Sequence, residues 1–416
     1  MAVPSSTNST DAPTNTTIVI IGGSFAGLTC ARHIHKHYND QNYTDKLEVI
    51  IIEPNHYFEY TPGILRCFVT PDHYNSITTE FDHIPVTQHK YTTVIHDCCT
   101  SINHEQQTVT LQNTSHNPIH YDYCILACGS DYDPNSYIRS NHSSHTSITR
   151  YNQIKQTYHD IHQCNDIHIF GAGLVGVEYV CELLQYTDKY ITLYSLDDTI
   201  LPGMSHKAIR YATKFIESYG SSRVKIITNN TINPQQCKKD ANSFTLVYLC
   251  TGSLPSQVLP SVDNNDKQVL NHHNWYKVNN RLELDSYNNI YVIGDCSEKS
   301  DKYAYYSELN AEYVADSIIN HTLQHKPIQP FPIEFTGGID TPLPSLICIS
   351  LGSYYGIVIF NDIVLCGLFG GFMKWFIEYT KIRQYREQWL SSTIWSIVEP
   401  MTFKLNWLYH KATRNT

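Results

Sequence analysis

The segment IVIIGGSFAGLTCARHI, Ile18 to Ile34, runs from an apolar strand pattern through a Gly-rich turn into a helical pattern. LEVIIIE follows as a second strand and ends at Glu53. Strand, glycine turn, helix and strand make a βαβ unit, the building block of a doubly wound parallel sheet. A phosphate group needs hydrogen-bond donors and a positive field, and the N-terminus of a helix supplies both. Glycines let the backbone approach a pyrophosphate and let the helix pack on the strand. In the G-x-G-x-x-G frame the positions are Gly22, Ser24 and Gly27, with Gly23, Phe25 and Ala26 completing the turn. Serine replaces the middle glycine. It is small, and its hydroxyl can donate to phosphate. Glu53 stands where a carboxylate accepts both ribose hydroxyls of an adenosine. The alternative is a tight strand–helix turn that holds no ligand.

The pattern returns in IHIFGAGLVGVEYVCELL, Ile167 to Leu184, followed by YITLYS ending at Ser195. Here the frame is complete, with Gly171, Gly173 and Gly176. The second strand ends on neutral Ser195, where an acid would repel a 2′-phosphate. Asp197 and Asp198 lie just beyond, and no Arg is adjacent, so the choice between NADH and NADPH stays open. A short apolar strand follows each unit: YDYCILACGS carries Ala127 and Gly129, and LVYLCTGS carries Gly252. A third, NNIYVIGDCSE, ends in Gly294 and Asp295. Asp295 reads either as a hydrogen-bond partner for the ribityl or pyrophosphate part of FAD or as the N-cap of the next helix.

The chain has 416 residues, 41% hydrophobic and 16% charged, a composition that supports large packed cores. Its net charge of −10 argues against nucleic acid as a partner. Thirteen cysteines without framework spacing imply free thiols in a reducing compartment. No metal site is read from the spacings. Residues 1–16 are polar and lack Lys and Arg, which reads as a disordered tail and not as a targeting signal. Ala2 excludes N-myristoylation. No apolar run reaches the ~18 residues of a transmembrane helix.

Four features in order, GGSFAG…E, CILACG, GAGLVGVE and YVIGDCSE, resemble the FAD-dependent pyridine nucleotide oxidoreductases. Within them the chain is most similar to type II NADH dehydrogenases. It is more similar still to apoptosis-inducing-factor-like, ferroptosis-suppressor-type NAD(P)H:quinone oxidoreductases, through GGSFAGL, KYAYYSELNAEYVADSI and YTKIRQ. The resemblance implies an α/β fold of two Rossmann-like dinucleotide-binding domains, the NAD domain inserted in the FAD domain, plus a C-terminal α+β segment. The expected boundaries are 17–150 and 280–330 for FAD, 151–279 for NAD(P)H and 331–416 for the C-terminal segment. Gly22, Ser24, Gly27, Glu53, Gly129 and Asp295 would hold FAD. Gly171, Gly173, Gly176 and Gly252 would line the NAD(P)H site. Glu178 matches the family's acid near nicotinamide and flavin, or is a first-turn acid complementing its helix dipole. Tyr305 and Tyr306 open the helix that meets the flavin edge in the family, or are core aromatics.

Disulfide reductases of this superfamily carry a CxxxxC pair on the first helix. Here Cys30 stands alone before ARHIHKHY, so electrons must leave the flavin directly for a diffusible acceptor. Four of the five Trp, at 375, 389, 395 and 407, lie in the C-terminal segment. Phe372, Trp375, Phe376, Tyr379 and Ile382 recur at helical spacing among Lys374, Lys381, Arg383 and Arg386. That pattern suits a bilayer interface, as it also suits a helix packed on the core. The resulting expectation is an NAD(P)H:quinone-type oxidoreductase. It would be cytoplasmic and peripherally membrane-associated, at a mitochondrial or lipid-droplet surface among others. The oligomeric state stays open, a homodimer included. The rival is a non-catalytic nucleotide-binding scaffold or signalling protein on the same fold.

Overall fold

The computed structural model describes residues 16–40, 47–133, 138–139, 145–235, 237, 244–257, 259–263, 266–324, 326–327, 329–331 and 342–413. The polar stretch read as a tail lies outside them, Thr16 excepted. In chain order the elements that carry the sites begin with β1 (Thr16–Ile21), α1 (Phe25–Asp40), β2 (Leu47–Ile52), β3 (Thr92–Ile95) and β4 (Tyr123–Leu126). Next come α2 (Ser147–Gln163), β5 (Asp166–Phe170), α3 (Leu174–Tyr186), β6 (Tyr190–Tyr194), α4 (His206–Gly220), β7 (Val224–Ile227) and β8 (Thr245–Leu249). Then follow β9 (Ile290–Val292), α5 (Ala304–Gln324), β10 (Leu346–Leu351), β11 (Tyr355–Phe360), β12 (Ile363–Gly367), α6 (Leu368–Tyr385) and α7 (Trp389–Thr413).

The chain divides into two compact units. The first comprises Met1–Glu53, Val86–Cys128 and Val258–Ile328. Its sheet runs β9-β4-β1-β2-β3, all parallel. Ile18, Val19 and Ile20 of β1 and Val49 and Ile51 of β2 are buried, as β-branched runs in a sheet covered on both faces should be.

The second unit comprises Pro54–Pro85, Gly129–Gln257 and Gln329–Thr416. Its parallel sheet runs β7-β6-β5-β8, so β5 sits between its partners as β1 does in the first unit. The same unit includes the antiparallel sheet β10-β11-β12 and the helices α6 and α7. The C-terminal segment therefore groups with β5 to β8, and so do Pro54–Pro85 and the residues from Gly129 to 150. Long-range polar contacts tie them there. Arg150, fully buried, donates from Nε to Glu59 Oε2 at 2.8 Å, and Arg386 Nη2 donates to the Thr78 carbonyl at 3.0 Å.

Candidate dinucleotide sites

In the first unit the scattered motifs converge on one turn. Gly22 follows β1 at φ +112°, a conformation that only glycine adopts without strain. A β-carbon there would stand 2.3 Å from the Ala127 carbonyl oxygen, and one on Gly27 would stand 1.9 Å from the Gly22 oxygen. Strand, turn and helix thus pack too closely for any side chain. Glu53 is buried at the end of β2, and its Oε2 accepts the Gly23 N–H at 2.7 Å. From the far side, a β-carbon on Gly294 would lie 3.2 Å from Ala26 Cβ, so the β9 end closes on the start of α1. Asp295 is buried, and Ser307 Oγ donates to its Oδ1 at 3.4 Å. It does not cap the following helix, because α5 begins nine positions later at Ala304.

The second unit repeats this construction. Gly171 has φ +106°, and a β-carbon on it would lie 2.2 Å from the Cys250 carbonyl oxygen. A β-carbon on Gly176 would lie 1.9 Å from the Gly171 oxygen, as at Gly27. Gly173 differs, because a β-carbon there meets no atom within 4 Å. Gly129 and Gly252, which follow β4 and β8, are open in the same way. Glycines that the fold does not demand face space that a ligand can fill. Ser24 occupies the position equivalent to Gly173, so the first cradle tolerates a small side chain where the second has none. Ser195 is buried and donates its hydroxyl to the Thr199 carbonyl at 2.7 Å, whereas Asp197 and Asp198 are exposed.

Glu178 lies in the second turn of α3, not the first, so it is not a dipole-complementing acid at the helix start. Its Oε1 accepts from the Ser350 N–H at 2.7 Å, the Ser350 hydroxyl at 3.0 Å and Lys374 Nζ at 2.8 Å. Burial pulls the Lys374 pKa down and the adjacent Glu178 pulls it up, for a net rise. One turn on, Glu182 is 2% exposed and takes a forked pair from Arg66 at 2.8 and 3.2 Å. The cavity beside these pairs, lined by Arg66, Glu178, Ser350 and Lys374, measures about 20 Å³, room for one water. Sequence reading missed Arg66, Glu182 and the partners of Glu178. Only the i, i+4 acids on an otherwise apolar helix hinted at them. Tyr305 and Tyr306 sit half-buried in the first turn of α5, ring centroids 5.7 Å apart.

The C-terminal pattern resolves differently from its reading. Phe372, Trp375 and Tyr379 are 53%, 49% and 42% exposed and pack ring to ring along α6. Ile382, read as part of that stripe, is buried, as is Tyr385. Three of the four cations read as a surface cluster turn inward. Lys374 pairs with Glu178, Lys381 pairs with Glu399 at 3.1 Å over the Trp395 ring, and Arg386 holds Thr78 and Thr79. Helical spacing shows which residues share a face and not which face is outside. Among the described residues no helix is long and apolar enough to cross a membrane.

Two glycine cradles on parallel sheets, one closed by a ribose-type acid and a strand-end aspartate, define a two-dinucleotide α/β protein. The chain belongs to the pyridine nucleotide-disulphide oxidoreductase family, whose model matches residues 16–313. Over 233 residues it is 29% identical to the ferroptosis suppressor protein 1 of Taeniopygia guttata, covering 51% of this chain and 60% of that one. Over 339 residues it is 22% identical to the mitochondrial external alternative NADH-ubiquinone oxidoreductase of Yarrowia lipolytica, covering 70% and 56%. The chain thus spans somewhat over half the length of these two relatives. The Plasmodium falciparum NDH2 structure in complex with NADH has the same fold, with a TM-score of 0.67, 16% identity and 95% and 98% of the chains covered. Family membership implies FAD and NAD(P)H. The residues fit them, with a buried acid at the end of β2 and an open glycine, Gly173, at the start of α3. The family's dithiol is absent. Cys30 is the one cysteine on α1, and burial raises its thiol well above its ordinary range.

Proposed function

We propose that this chain oxidises NAD(P)H and delivers the electrons through FAD to a quinone-type acceptor. The duplicated cradle carries this reading, because one chain with two such turns has room for a donor nucleotide and a second dinucleotide. The lone, buried Cys30 supports direct exit of electrons, since α1 carries no second cysteine to form the family's dithiol. FAD, when bound, supplies the redox chemistry between a two-electron donor and the acceptor. The first unit is the FAD domain, where the Gly22–Gly27 turn faces the pyrophosphate, Glu53 takes the adenosine ribose and Asp295 takes the ribityl side. In the second unit Gly171, Gly173, Gly176 and Gly252 bind NAD(P)H. The Glu178–Lys374 pair is a place to hold a proton out of water, and Tyr305 and Tyr306 are the aromatic candidates at the flavin edge. The exposed aromatic side of α6 supports peripheral attachment to a bilayer, where a lipid-soluble quinone dissolves.

The test is anaerobic titration of the purified protein, followed by turnover with a short-chain ubiquinone. Flavin absorbance should bleach with NADH. NADPH should serve within about tenfold, or ~1.4 kcal/mol, because Ser195 carries no charge. Bound flavin that neither nucleotide reduces would sink the reading in favour of a nucleotide-binding scaffold.

A further inference from the structure

Outside both cradles, α1 and α5 pack side by side in the first unit, and each presents an i, i+4 pair to the other. The pairs are His33 with His37 on α1 and Glu312 with Asp316 on α5. Such spacing puts both members on one helix face. Sequence reading assigned no metal here, because HIHKH meets its carboxylates only through the fold.

We propose that His33, His37 and Asp316 form a divalent-metal site of the zinc class that clamps α1 to α5. Three observations carry it. One ligand atom from each of the three residues lies within 4.8 Å of the others. His37 Nε2 is 2.9 Å and His33 Nε2 is 3.8 Å from the same oxygen, Asp316 Oδ1. Tetrahedral zinc at 2.0–2.1 Å from its ligands sets them about 3.3 Å apart, so the site closes by side-chain rotations of about 1 Å. Second, Asp316 Oδ1 is shielded from water yet makes no hydrogen bond, despite its closeness to two imidazoles. A desolvated carboxylate oxygen without a hydrogen bond is costly, and a cation between the three groups removes that cost. Third, Glu312 Oε1 lies 4.0 Å from His33 Nδ1, the ring nitrogen opposite the proposed metal. A carboxylate behind a ligating histidine is the usual outer partner that orients the ring.

Two imidazoles and a carboxylate are a borderline donor set that suits zinc and disfavours magnesium or calcium. Three protein ligands leave a position for water. The side chains are 20–35% exposed, so the ion has a way in.

The test uses the full-length protein with Zn²⁺ and Co²⁺ as probes. Zn²⁺ competition against a chromophoric chelator should give one ion per chain, and Co²⁺ should develop the visible bands of tetrahedral coordination. Asp316→Asn should weaken Zn²⁺ binding at least tenfold and erase the cobalt bands. Zn²⁺ should raise the wild-type Tm and leave that of Asp316→Asn unmoved. His37→Gln repeats the measurement from the other helix if Asp316→Asn does not fold. Unchanged affinity in a folded variant would overturn the site, because the other histidines would then be the binders. Failure of the wild type to take up one ion would overturn it too.

Discussion

Glu53 combines a contact seen in the structure with a proposed task, and a single substitution can separate them. Its Oε2 accepts the Gly23 N–H, which holds the turn, and its proposed task is to favour ribose hydroxyls through its charge. Replacement by Lys would bury a cation and disturb both, so Glu53→Gln is the cleaner probe. The amide oxygen can still accept from Gly23 while the charge is gone. Charge-assisted hydrogen bonds are worth about 1.5–3 kcal/mol, so flavin affinity should fall at least tenfold with the fold intact. Reconstitution of apoprotein with FAD measures it, and full affinity in Glu53→Gln would remove Glu53 from the site. His35 gives a second prediction at this scale. It is buried on α1, shares a 2.7 Å hydrogen bond between Nε2 and Thr92 Oγ1, and stacks near His89 at 4.0 Å. Burial, and after it the His89 charge, lowers its pKa from 6.5 to about 3. The folded value lies below the unfolded one, so the unfolded chain takes up the proton first as pH falls. The stability from a neutral His35 is therefore complete above pH 6.5 and is lost progressively toward pH 3, at up to ~1.4 kcal/mol per unit. Urea unfolding of His35→Gln between pH 7 and 5 should show a flatter acid limb than the wild type. Parallel limbs would mean that His35 is protonated in the fold.

At the scale of elements, the two G-x-G-x-x-G turns were legible because their constraints are local: a positive φ, a helix start and a close strand all fall within a few residues. Yet equal-looking glycines in one motif have unequal duties. Gly171→Ala drives a β-carbon into the Cys250 carbonyl and should destabilise the protein severely. Gly173→Ala meets nothing of the chain, so the Tm should hold while the KM for NAD(P)H rises several-fold. A Gly173→Ala protein with unchanged KM would mean that no nucleotide phosphate comes near this turn. The contacts of α3 were not legible, because Glu178 and Lys374 are 196 positions apart and Arg66 and Glu182 are 116 apart. Periodicity marks a buried helix face but does not name its partner. Lys374 and Arg386 were read as surface cations for the same reason. The Glu178–Lys374 pair joins α3 to the β10 and α6 layer. Leaving one charge buried alone costs about 3–5 kcal/mol, whereas replacing both with apolar groups of similar size is often near neutral. Lys374→Met should therefore destabilise more than Glu178→Leu with Lys374→Met together, as read by urea midpoints. Additive losses would place both groups in solvent contact.

At the scale of the whole molecule, the proposed role of the C-terminal layer in reaching a lipid-soluble acceptor has to be tested by changes that its packing tolerates. Deleting it from Phe372 onward would remove Lys374, strand Glu178 and uncover β10 and β11, so lost activity in a truncated chain would report misfolding. Point changes on the outer side avoid this. Phe372 on α6 and Trp389 and Ile397 on α7 are 53%, 76% and 60% exposed, and their truncation leaves the buried Ile382, Tyr385 and Trp395 in place. The exposed apolar side chains, more than the cations, should set membrane affinity, because Lys374, Lys381 and Arg386 are committed within the unit while Lys404 and Lys411 remain outside. Each exposed cation near an anionic surface adds roughly 1 kcal/mol, and salt screens that contribution. Burial of aromatic surface in the interface is not screened. Co-sedimentation with vesicles containing anionic lipid should therefore weaken but persist between 0.1 and 0.5 M salt. The triple Phe372→Ser, Trp389→Ser, Ile397→Ser variant should lose at least tenfold in binding at either salt concentration, with an unchanged Tm. The same variant should lose turnover with a long-chain quinone held in vesicles and keep it with a water-soluble one. Equal co-sedimentation of variant and wild type would show that this face meets something other than a bilayer.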